Sequence, residues 1–254
     1  MPANSALWLT ARRAPFTVGP APLPSPRKGE IAVLVRAVAV NPMDRLVQSL
    51  GNLIAPWIDY PFVPGSDVAG EVIAIGADVA RFRVGDRVLG YAAGADKGHR
   101  SAEGGFQTRV ILQAHMSSPI PEFLSFEQAA VLPLGLSTAA SSLFECDLLA
   151  LDHPSGRPAP NGTAVLIWGG STSVGSNAIQ LAVAAGYDVI TTASPRNFDY
   201  VRRLGASHAF DYRSKTVVAD ILSALDGRRL AGAVAIGVGS TAPCIDIVAA
   251  APAA

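Results

Sequence analysis

The feature that most constrains the fold is a strand, a glycine-rich turn and a helix that follow one another from Thr163. Residues 164–168 form an apolar run of strand length, and apolar residues recur at helical spacing beyond Gly175. Such a unit opens a dinucleotide-binding βαβ fold, because the turn and the helix dipole direct free N–H groups towards a pyrophosphate. The G-x-G-x-x-G fingerprint falls on Gly170, Thr172 and Gly175, so its middle glycine is missing. An ordinary strand-to-helix turn of an α/β protein therefore stays an alternative.

The segments after this turn repeat the alternation of strands and helices. The sequence predicts a second strand at 188–193, a helix at 198–204 and a third strand at 209–212. A fourth strand is predicted at 233–239. Strands that alternate with helices of this length form a parallel sheet with right-handed crossovers. The predicted fold class is α/β, with a Rossmann-type domain in the second half of the chain.

The end of the second predicted strand distinguishes between the two nicotinamide cofactors. An NAD-binding protein carries an acidic residue at this point, which binds the ribose 2′-hydroxyl. This chain has no acid from Ala193 to Asn197 and carries Ser194 and Arg196 instead. A planar guanidinium can donate two hydrogen bonds to a 2′-phosphate, so the pattern predicts NADP(H). The alternative is that Arg196 is a solvated loop residue.

Composition and charge argue against several classes of partner. Lys+Arg and Asp+Glu both number 20, so nothing favours nucleic acid or an anionic membrane. No apolar segment reaches transmembrane length, and the first residues do not predict a signal peptide. Cys146 and Cys244 are the only cysteines, which is typical of a reducing compartment. These features predict a cytoplasmic protein without nucleic-acid or membrane partners.

The first half of the chain has a different pattern. Five prolines lie between residues 15 and 26, which favours extended backbone and turns. Runs rich in valine and isoleucine then lie at 31–40, 68–75, 87–90 and 107–112. Glycine and proline between these runs predict an irregular antiparallel β domain with partial barrel character. Because the pattern becomes helical near residue 124, we predict one domain at 1–125 and a second at 126–254.

Several motifs outside the turn lie in a fixed order along the chain. Residues 65–76 read Gly-Ser-Asp-Val-Ala-Gly-Glu-Val-Ile-Ala-Ile-Gly, and residues 82–90 read Phe-Arg-Val-Gly-Asp-Arg-Val-Leu-Gly. The others are Asn41-Pro-Met-Asp44, residues 124–133, the Ser137-Thr138 pair, residues 169–175 and Asp211-Tyr-Arg213. In this order they resemble the medium-chain dehydrogenase/reductase family over nearly the whole chain. Within the family the chain is most similar to zinc-free quinone reductases and to the fungal-type trans-acting enoyl reductases of polyketide synthesis.

The resemblance implies a GroES-like β domain, then a Rossmann-type domain, and a reductase activity. The implied reaction uses NADPH to deliver a hydride to the activated C=C bond of an enoyl or enone substrate, or to a quinone. The substrate would be a small molecule, free or carrier-bound, and the protein a monomer or a homodimer. Because the carbonyl of such a substrate already draws charge from the β-carbon, the protein mainly has to orient the nicotinamide and hold an enolate.

The positions that bind zinc in other members of the family do not carry zinc ligands here. Asn41 stands in place of a cysteine and Ser66 in place of a histidine, and neither is a ligand of the kind that a tetrahedral zinc site requires. The cysteines of the family's structural zinc lobe are also missing. The four histidines, which lie without ligand spacing, are His99, His115, His153 and His208. We therefore predict a zinc-independent protein with no metal site.

The resemblance also implies which residues contact the cofactor. They are Asp44, Arg45, Thr138, Gly170, Ser171, Thr172, Ser173, Val174, Gly175, Ser194, Arg196, Asn197 and Tyr212. The hydroxyls and amides of residues 171–173 would bind the pyrophosphate, and Tyr212 the adenosine ribose region. The alternatives are a core aromatic with a wet hydroxyl for Tyr212 and a helix N-cap for Asp44.

No general acid is evident in the sequence. Tyr60 is a weak candidate for the proton donor, with a packing role as the alternative, and solvent is another source of the proton. Asp67 is predicted to be a buried structural carboxylate that hydrogen-bonds backbone.

Family members extend beyond the last residue of this sequence, so the resemblance predicts a Rossmann domain that is incomplete at its C-terminus. The fourth strand would then form an exposed edge of the sheet. Ile236 stands where relatives usually carry an aspartate. The alternative to an active reductase is an inactive truncated fragment, or a cofactor-binding or structural relative of the family.

Overall fold

The computed structural model describes residues 3–98 and 100–252. The chain divides into two compact units, Met1–Leu134 and Gly135–Ala254. The sequence places the change of domain at residue 126, because the helical pattern begins there. In the structure the first helix of that pattern, α2 (Phe126–Ala130), buries Ala129 and Ala130 in a cluster with Ala69, a residue of the first unit.

The first unit is built on antiparallel β-structure. Its strands are β1 (Asn4–Trp8), β2 (Thr17–Ala21), β3 (Glu30–Ala39), β4 (Asp67–Ile75), β5 (Arg87–Tyr91), β6 (Arg109–Gln113) and β7 (Ser117–Pro119). β1 pairs with β2, and the other strands form one sheet in the order β6-β3-β4-β5-β7. Every pairing in this unit is antiparallel, which confirms the predicted β domain.

Alternating apolar residues place the core of the first unit on one face of this sheet. Ile31 and Val33 of β3 are two residues apart, as are Val110 and Leu112 of β6, and all four are fully buried in one cluster. In a strand, residues two apart point to the same face, so this period directs them together. The helix α1 (Pro42–Leu50) follows β3.

The second unit contains a parallel four-stranded sheet in the order β10-β9-β8-β11. Its strands are β8 (Thr163–Trp168), β9 (Asp188–Ala193), β10 (His208–Asp211) and β11 (Arg229–Ala235). The helices of this half are α3 (Pro133–Phe144), α4 (Ser173–Ala184), α5 (Phe198–Arg203), α6 (Val217–Leu225) and α7 (Thr241–Ala250). This arrangement confirms the predicted Rossmann-type βαβ unit.

The continuous apolar run of β8 is explained by burial on both faces of the sheet. Val165 and Ile167 belong to one hydrophobic core, whereas Ala164, Leu166 and Trp168 belong to a second. A strand covered on both faces needs no polar residue at alternate positions.

The fourth strand was predicted four residues too late, at 233–239 instead of Arg229–Ala235. Gly237 and Gly239 have φ angles of 96° and 82°, a backbone conformation that ends the strand. The apolar run itself continues past this point, so hydrophobicity alone gave the wrong boundary. β11 is the terminal strand of the sheet in the described part of the chain.

Candidate functional site

The order of the strands creates a crevice at the carboxyl ends of β8 and β11. β8 leads to β9 on one side, while the chain returns to the other side of β8 only at β11. Open α/β sheets bind their ligands at such a reversal of strand order. Gly169 leaves β8 with a φ angle of 86°, and its N–H donates to Thr192 Oγ1 at 3.0 Å. The glycine-rich turn therefore begins inside the crevice.

Thr172 replaces the missing middle glycine and caps the helix that follows. Its Oγ1 accepts a hydrogen bond from the Gly175 N–H at 3.0 Å and donates one to the Gly169 carbonyl at 2.8 Å. A threonine at this position satisfies one of the N–H groups that every helix leaves free at its start. The sequence interpretation gave this hydroxyl to a pyrophosphate, but the structure uses it within the turn.

Three backbone amides of the turn are available to a ligand. The N–H groups of Ser171, Ser173 and Val174 have no hydrogen-bond partner within the described residues. They lie at the start of α4, where the helix dipole favours negative charge. Ser173 is exposed and Ser171 is partly buried, so both hydroxyls lie near the same surface. The turn is therefore suited to bind a phosphate group.

Gly175 is required where the helix starts close to the turn. A Cβ here would overlap the Gly169 carbonyl oxygen and lie 2.8 Å from Gly170 Cα, and backbone atoms cannot move aside easily. We expect Gly175→Ala to lower the free energy of unfolding by about 1–3 kcal/mol and to weaken cofactor binding. Thermal unfolding and cofactor titration measure both effects. Gly156→Ala is the matched control, since no atom lies within 4 Å of its Cβ position. Equal effects of the two substitutions would contradict this interpretation.

A second group of polar residues follows the ends of β9 and β10. Ser194 Oγ donates to the Tyr212 hydroxyl at 3.5 Å. Arg213 Nη2 donates to the same hydroxyl at 2.9 Å, and its guanidinium lies 5.1 Å from the centre of the Tyr212 ring. The hydrogen bond from Ser194, followed by that from Arg213, lowers the pKa of Tyr212. Arg196 lies exposed in the turn Pro195–Asn197.

The structure thus brings Ser194 and Tyr212 together, as an adenosine-phosphate subsite requires. Arg213 was not among the predicted cofactor residues, although it lies next to Tyr212 in the motif at 211–213. The signal in the sequence that could have identified Arg213 as a cofactor residue is its position directly after Tyr212, a predicted binding residue. Tyr212 is 39% exposed, which does not favour the alternative of a core aromatic with only its hydroxyl in water.

Asp44 has a structural role in the first unit. Asn41 is the N-cap of α1, and the Asn41 N–H donates to Asp44 Oδ2 at 2.7 Å. Asp44 is buried in the third position of the helix, so it completes a capping box and is not itself the N-cap. Arg45 is exposed on the same helix, and Thr138 is exposed on α3 of the second unit. The contacts of these three residues with a cofactor stay predictions.

Asp67 is confirmed as a buried structural carboxylate. It is 1% exposed, and its Oδ1 accepts the Leu134 N–H at 2.6 Å. Its Oδ2 accepts from Asn41 Nδ2 at 2.9 Å, so the Asn41 amide is hydrogen-bonded to protein. Burial is the main cause that raises the pKa of Asp67 above its ordinary value.

Tyr60 lies in a setting that favours the packing role. Its hydroxyl is buried and has no hydrogen-bond partner in the described ranges. It lies against Gly51, where an added Cβ would overlap the hydroxyl oxygen. The ring lies 5.8 Å from that of Phe62 in a tilted arrangement.

No group of three or more His, Cys, Asp or Glu side chains that could hold a metal occurs among residues 3–98 and 100–252. His99, one of the four histidines considered in the sequence, lies outside the described residues. Within the same ranges, no helix has the length and apolar character needed to span a bilayer.

Comparisons with known proteins agree with this architecture. Residues 27–122 match the alcohol dehydrogenase GroES-like domain. The dehydrogenase pigH of Monascus ruber is 55% identical over 252 residues, which are 98% of this chain and 68% of that protein. The trans-enoyl reductase himH of Aspergillus japonicus is 43% identical over 225 residues, 87% of this chain and 64% of that protein.

Solved structures give the same result. An alcohol dehydrogenase superfamily protein from Novosphingobium aromaticivorans has a TM-score of 0.76 at 29% identity, covering 98% of this chain and 70% of that one. The quinone oxidoreductase from Coxiella burnetii has a TM-score of 0.69 at 26% identity, covering 99% of this chain and 82% of that one. With its GroES-like domain, its parallel βαβ sheet and a relative at 55% identity, the chain belongs to the medium-chain dehydrogenase/reductase family of oxidoreductases.

Proposed function

We propose that the protein is a zinc-independent reductase that uses NADP(H) to reduce the activated double bond of an enoyl or enone substrate, or a quinone. The observation that carries this proposal is that the second unit contains two candidate subsites for the cofactor. One is the turn with free amides at Ser171, Ser173 and Val174, and the other is the hydrogen-bonded pair Ser194–Tyr212. The names of the relatives, a trans-enoyl reductase and a quinone oxidoreductase, support the substrate class.

The residues present fit a phosphorylated dinucleotide. The amides at the start of α4 donate to a pyrophosphate without any deprotonation or rearrangement. Ser194, Arg196 and Arg213 offer one hydroxyl and two guanidinium groups, and the described stretch 193–197 carries no acidic residue. A carboxylate there would repel a 2′-phosphate, whereas guanidinium groups attract it. The bound cofactor would supply the hydride.

The residues at the family's zinc positions support a reaction without metal. Asn41 uses its amide to hydrogen-bond Asp67, and a serine hydroxyl at position 66 is a poor zinc ligand. Reduction of an enone or a quinone does not require a metal, because the substrate carbonyl already withdraws charge from the carbon that accepts the hydride. What the protein must add is orientation, hydrogen bonds to the developing oxyanion and a proton.

One observation favours a second candidate, a cofactor-binding relative that does not turn over. Ile236 follows β11 at the crevice, where its N–H donates to the Trp168 carbonyl at 3.2 Å. The Ile236 Cβ lies 3.4 Å from the position that a Cβ on Gly169 would occupy. An apolar side chain therefore lies beside the turn at the position where the family resemblance leads one to expect an aspartate.

The decisive experiment is a screen of NADPH and NADH oxidation against quinones, enones and enoyl thioesters. We expect turnover with NADPH and at least one of these acceptors, and the same rate after exhaustive chelation of metals. Comparing free with carrier-bound thioesters shows which form is the substrate. Cofactor binding without oxidation for any acceptor would establish the second candidate, and loss of activity on chelation would contradict zinc independence.

The remaining parts of the proposal concern the oligomeric state of the protein and its location in the cell. We propose a monomer or a homodimer in the cytoplasm that acts on a small molecule. Light scattering of the purified protein distinguishes the two assembly states, and fractionation of the source cells tests the location.

A further inference from the structure

Two hydrogen bonds in series connect the helix α5 with the glycine-rich turn of the second unit. The Tyr200 hydroxyl of α5 donates to Ser176 Oγ at 3.0 Å. The Ser176 hydroxyl donates to the Gly170 carbonyl at 3.1 Å. Ser176 is 9% exposed, whereas Tyr200 is 39% exposed. A relay of two hydroxyls, Tyr200 and Ser176, therefore leads from the surface of the unit to a carbonyl of the turn.

Ser176 lies near the start of α4, and its hydroxyl is directed back to the turn before the helix. Side chains of a helix point towards its N-terminus. A serine within a helix often hydrogen-bonds the carbonyl four residues earlier, which here is that of Thr172. Ser176 instead donates to Gly170, which lies outside the helix. Since a carbonyl can only accept, the Ser176 hydrogen is used there, and the Ser176 oxygen is left to accept from Tyr200.

The Gly170 carbonyl sets the direction of an amide that a phosphate would contact. The carbonyl of Gly170 and the N–H of Ser171 belong to one planar peptide unit, which is trans here, so the two groups point in opposite directions. The Ser171 N–H is one of the three amides of the turn that have no partner within the described residues. The hydrogen bond that holds the carbonyl towards α4 therefore holds this N–H on the opposite side.

Tyr200 lies in the same segment as the residues assigned to the 2′-phosphate. Ser194 ends this approach from β9, the turn Pro195–Asn197 contains Arg196, and α5 begins directly after it at Phe198. Arg196 is thus four residues before Tyr200, about one turn of a helix. One short segment carries both the predicted 2′-phosphate ligands and the tyrosine that is linked to the glycine-rich turn.

We propose that Tyr200 is a positioning residue for the cofactor, which acts through Ser176 to fix the Ser171 N–H in the direction of the pyrophosphate. This inference rests on the proposed function. Without the Tyr200 hydroxyl, the Ser176 hydroxyl is free to turn towards the Thr172 carbonyl, and the peptide after Gly170 loses its only side-chain donor within the described residues. An amide that is oriented before binding costs less to order when the ligand arrives.

The alternative is that Tyr200 acts through its ring, either by packing or by direct contact with the adenosine part of a cofactor. Tyr200→Phe separates these roles, because it keeps the ring and removes only the hydroxyl. ADP and 2′-AMP separate them further, since ADP carries a diphosphate and 2′-AMP carries only the 2′-phosphate.

The test measures the binding of ADP, 2′-AMP and NADPH to the full chain by calorimetry. We expect Tyr200→Phe to weaken the binding of ADP and NADPH by about 3- to 10-fold, the effect of one hydrogen bond, and to leave that of 2′-AMP unchanged. Ser176→Ala should weaken the same two ligands at least as much. Because Tyr200 acts through Ser176, the double variant should bind ADP no more weakly than Ser176→Ala alone.

NMR spectra of the ¹⁵N-labelled chain provide a second measurement that general destabilisation would not reproduce. ADP should shift the Ser171 amide signal in the unmodified protein, and this shift should be smaller in Tyr200→Phe. The matched control is Tyr187→Phe, the same change in the same unit, where the hydroxyl accepts the Asp152 N–H. This control should leave the binding of ADP and the Ser171 signal unaltered.

Unchanged binding of ADP by a folded Tyr200→Phe protein would overturn the role of Tyr200 and leave the proposed function intact. Equal losses for ADP and 2′-AMP would assign Tyr200 to the adenosine part of the cofactor and also overturn it. Losses that add in the double variant would show that Tyr200 does not act through Ser176. If the unmodified protein binds neither ADP nor NADPH, the proposed function fails and this inference fails with it.

Discussion

Arg196→Ala should remove most of the preference of the protein for NADPH over NADH. The exposed guanidinium follows Ser194 at the end of β9, and no carboxylate lies in residues 193–197 to bind a ribose hydroxyl. Loss of a charge-assisted contact to the 2′-phosphate typically costs about 1.5–3 kcal/mol, or roughly 10- to 150-fold in affinity. Affinity for NADH should change little. Titration by cofactor fluorescence measures both constants.

Arg213→Ala should act in the same direction, because Arg213 hydrogen-bonds and stacks on Tyr212. Arg157→Ala is a suitable control, since Arg157 lies exposed in the loop before β8. Equal affinity of the unmodified protein for NADPH and NADH would refute the 2′-phosphate subsite. An unchanged preference in the Arg196 variant would assign the phosphate to other residues.

Asp67→Ala should cause a large loss of stability. The substitution leaves two partly buried donors, the Leu134 N–H and the Asn41 amide, without their acceptor. Each unsatisfied donor costs about 1–3 kcal/mol when fully buried, so we expect a loss of up to roughly 2–6 kcal/mol from a total of about 5–15 kcal/mol. Because burial makes the ionised carboxylate itself costly, its removal offsets part of this loss. Urea unfolding monitored by circular dichroism measures the difference.

The control for this experiment is Asp59→Ala, since Asp59 is an exposed aspartate of the same unit. Surface substitutions usually change stability by no more than about 0.5 kcal/mol. A loss below about 1 kcal/mol for Asp67→Ala would show that water or relaxation replaces the carboxylate, and that Asp67 does not hold this part of the fold.

Local signals account for the parts of the fold that the sequence predicts correctly. β9 was predicted at 188–193 and lies at Asp188–Ala193, because a short apolar run ends at Gly186 on one side and Pro195 on the other. The strand before the turn is similarly bounded. A pattern contained within a few residues needs no knowledge of distant partners.

Features that depend on distant residues were not predictable in this way. Asp67 meets the Asn41 amide, 26 residues away, and the Leu134 N–H, 67 residues away, and no spacing in the sequence reveals these two partners. The hydrogen bond from the Thr172 hydroxyl to the Gly169 carbonyl forms only in the folded turn. The sequence therefore gave no sign of it, and the hydroxyl was assigned to a ligand. The sequence shows Arg213 next to Tyr212, but it does not show that the Arg213 guanidinium hydrogen-bonds the Tyr212 hydroxyl.

Thr172 has a consequence for how nucleotide-binding turns are recognised across proteins. A search pattern that requires three glycines misses this turn, because Thr172 stands at the middle position. The turn nevertheless has a positive φ at Gly169 and a close backbone approach at Gly175. The fingerprint has a glycine at the middle position so that the backbone can approach the pyrophosphate, whereas in this turn the Thr172 side chain supplies an oxygen that caps the helix. A description by backbone angles and capping oxygens would therefore include turns of this kind, which a glycine count discards.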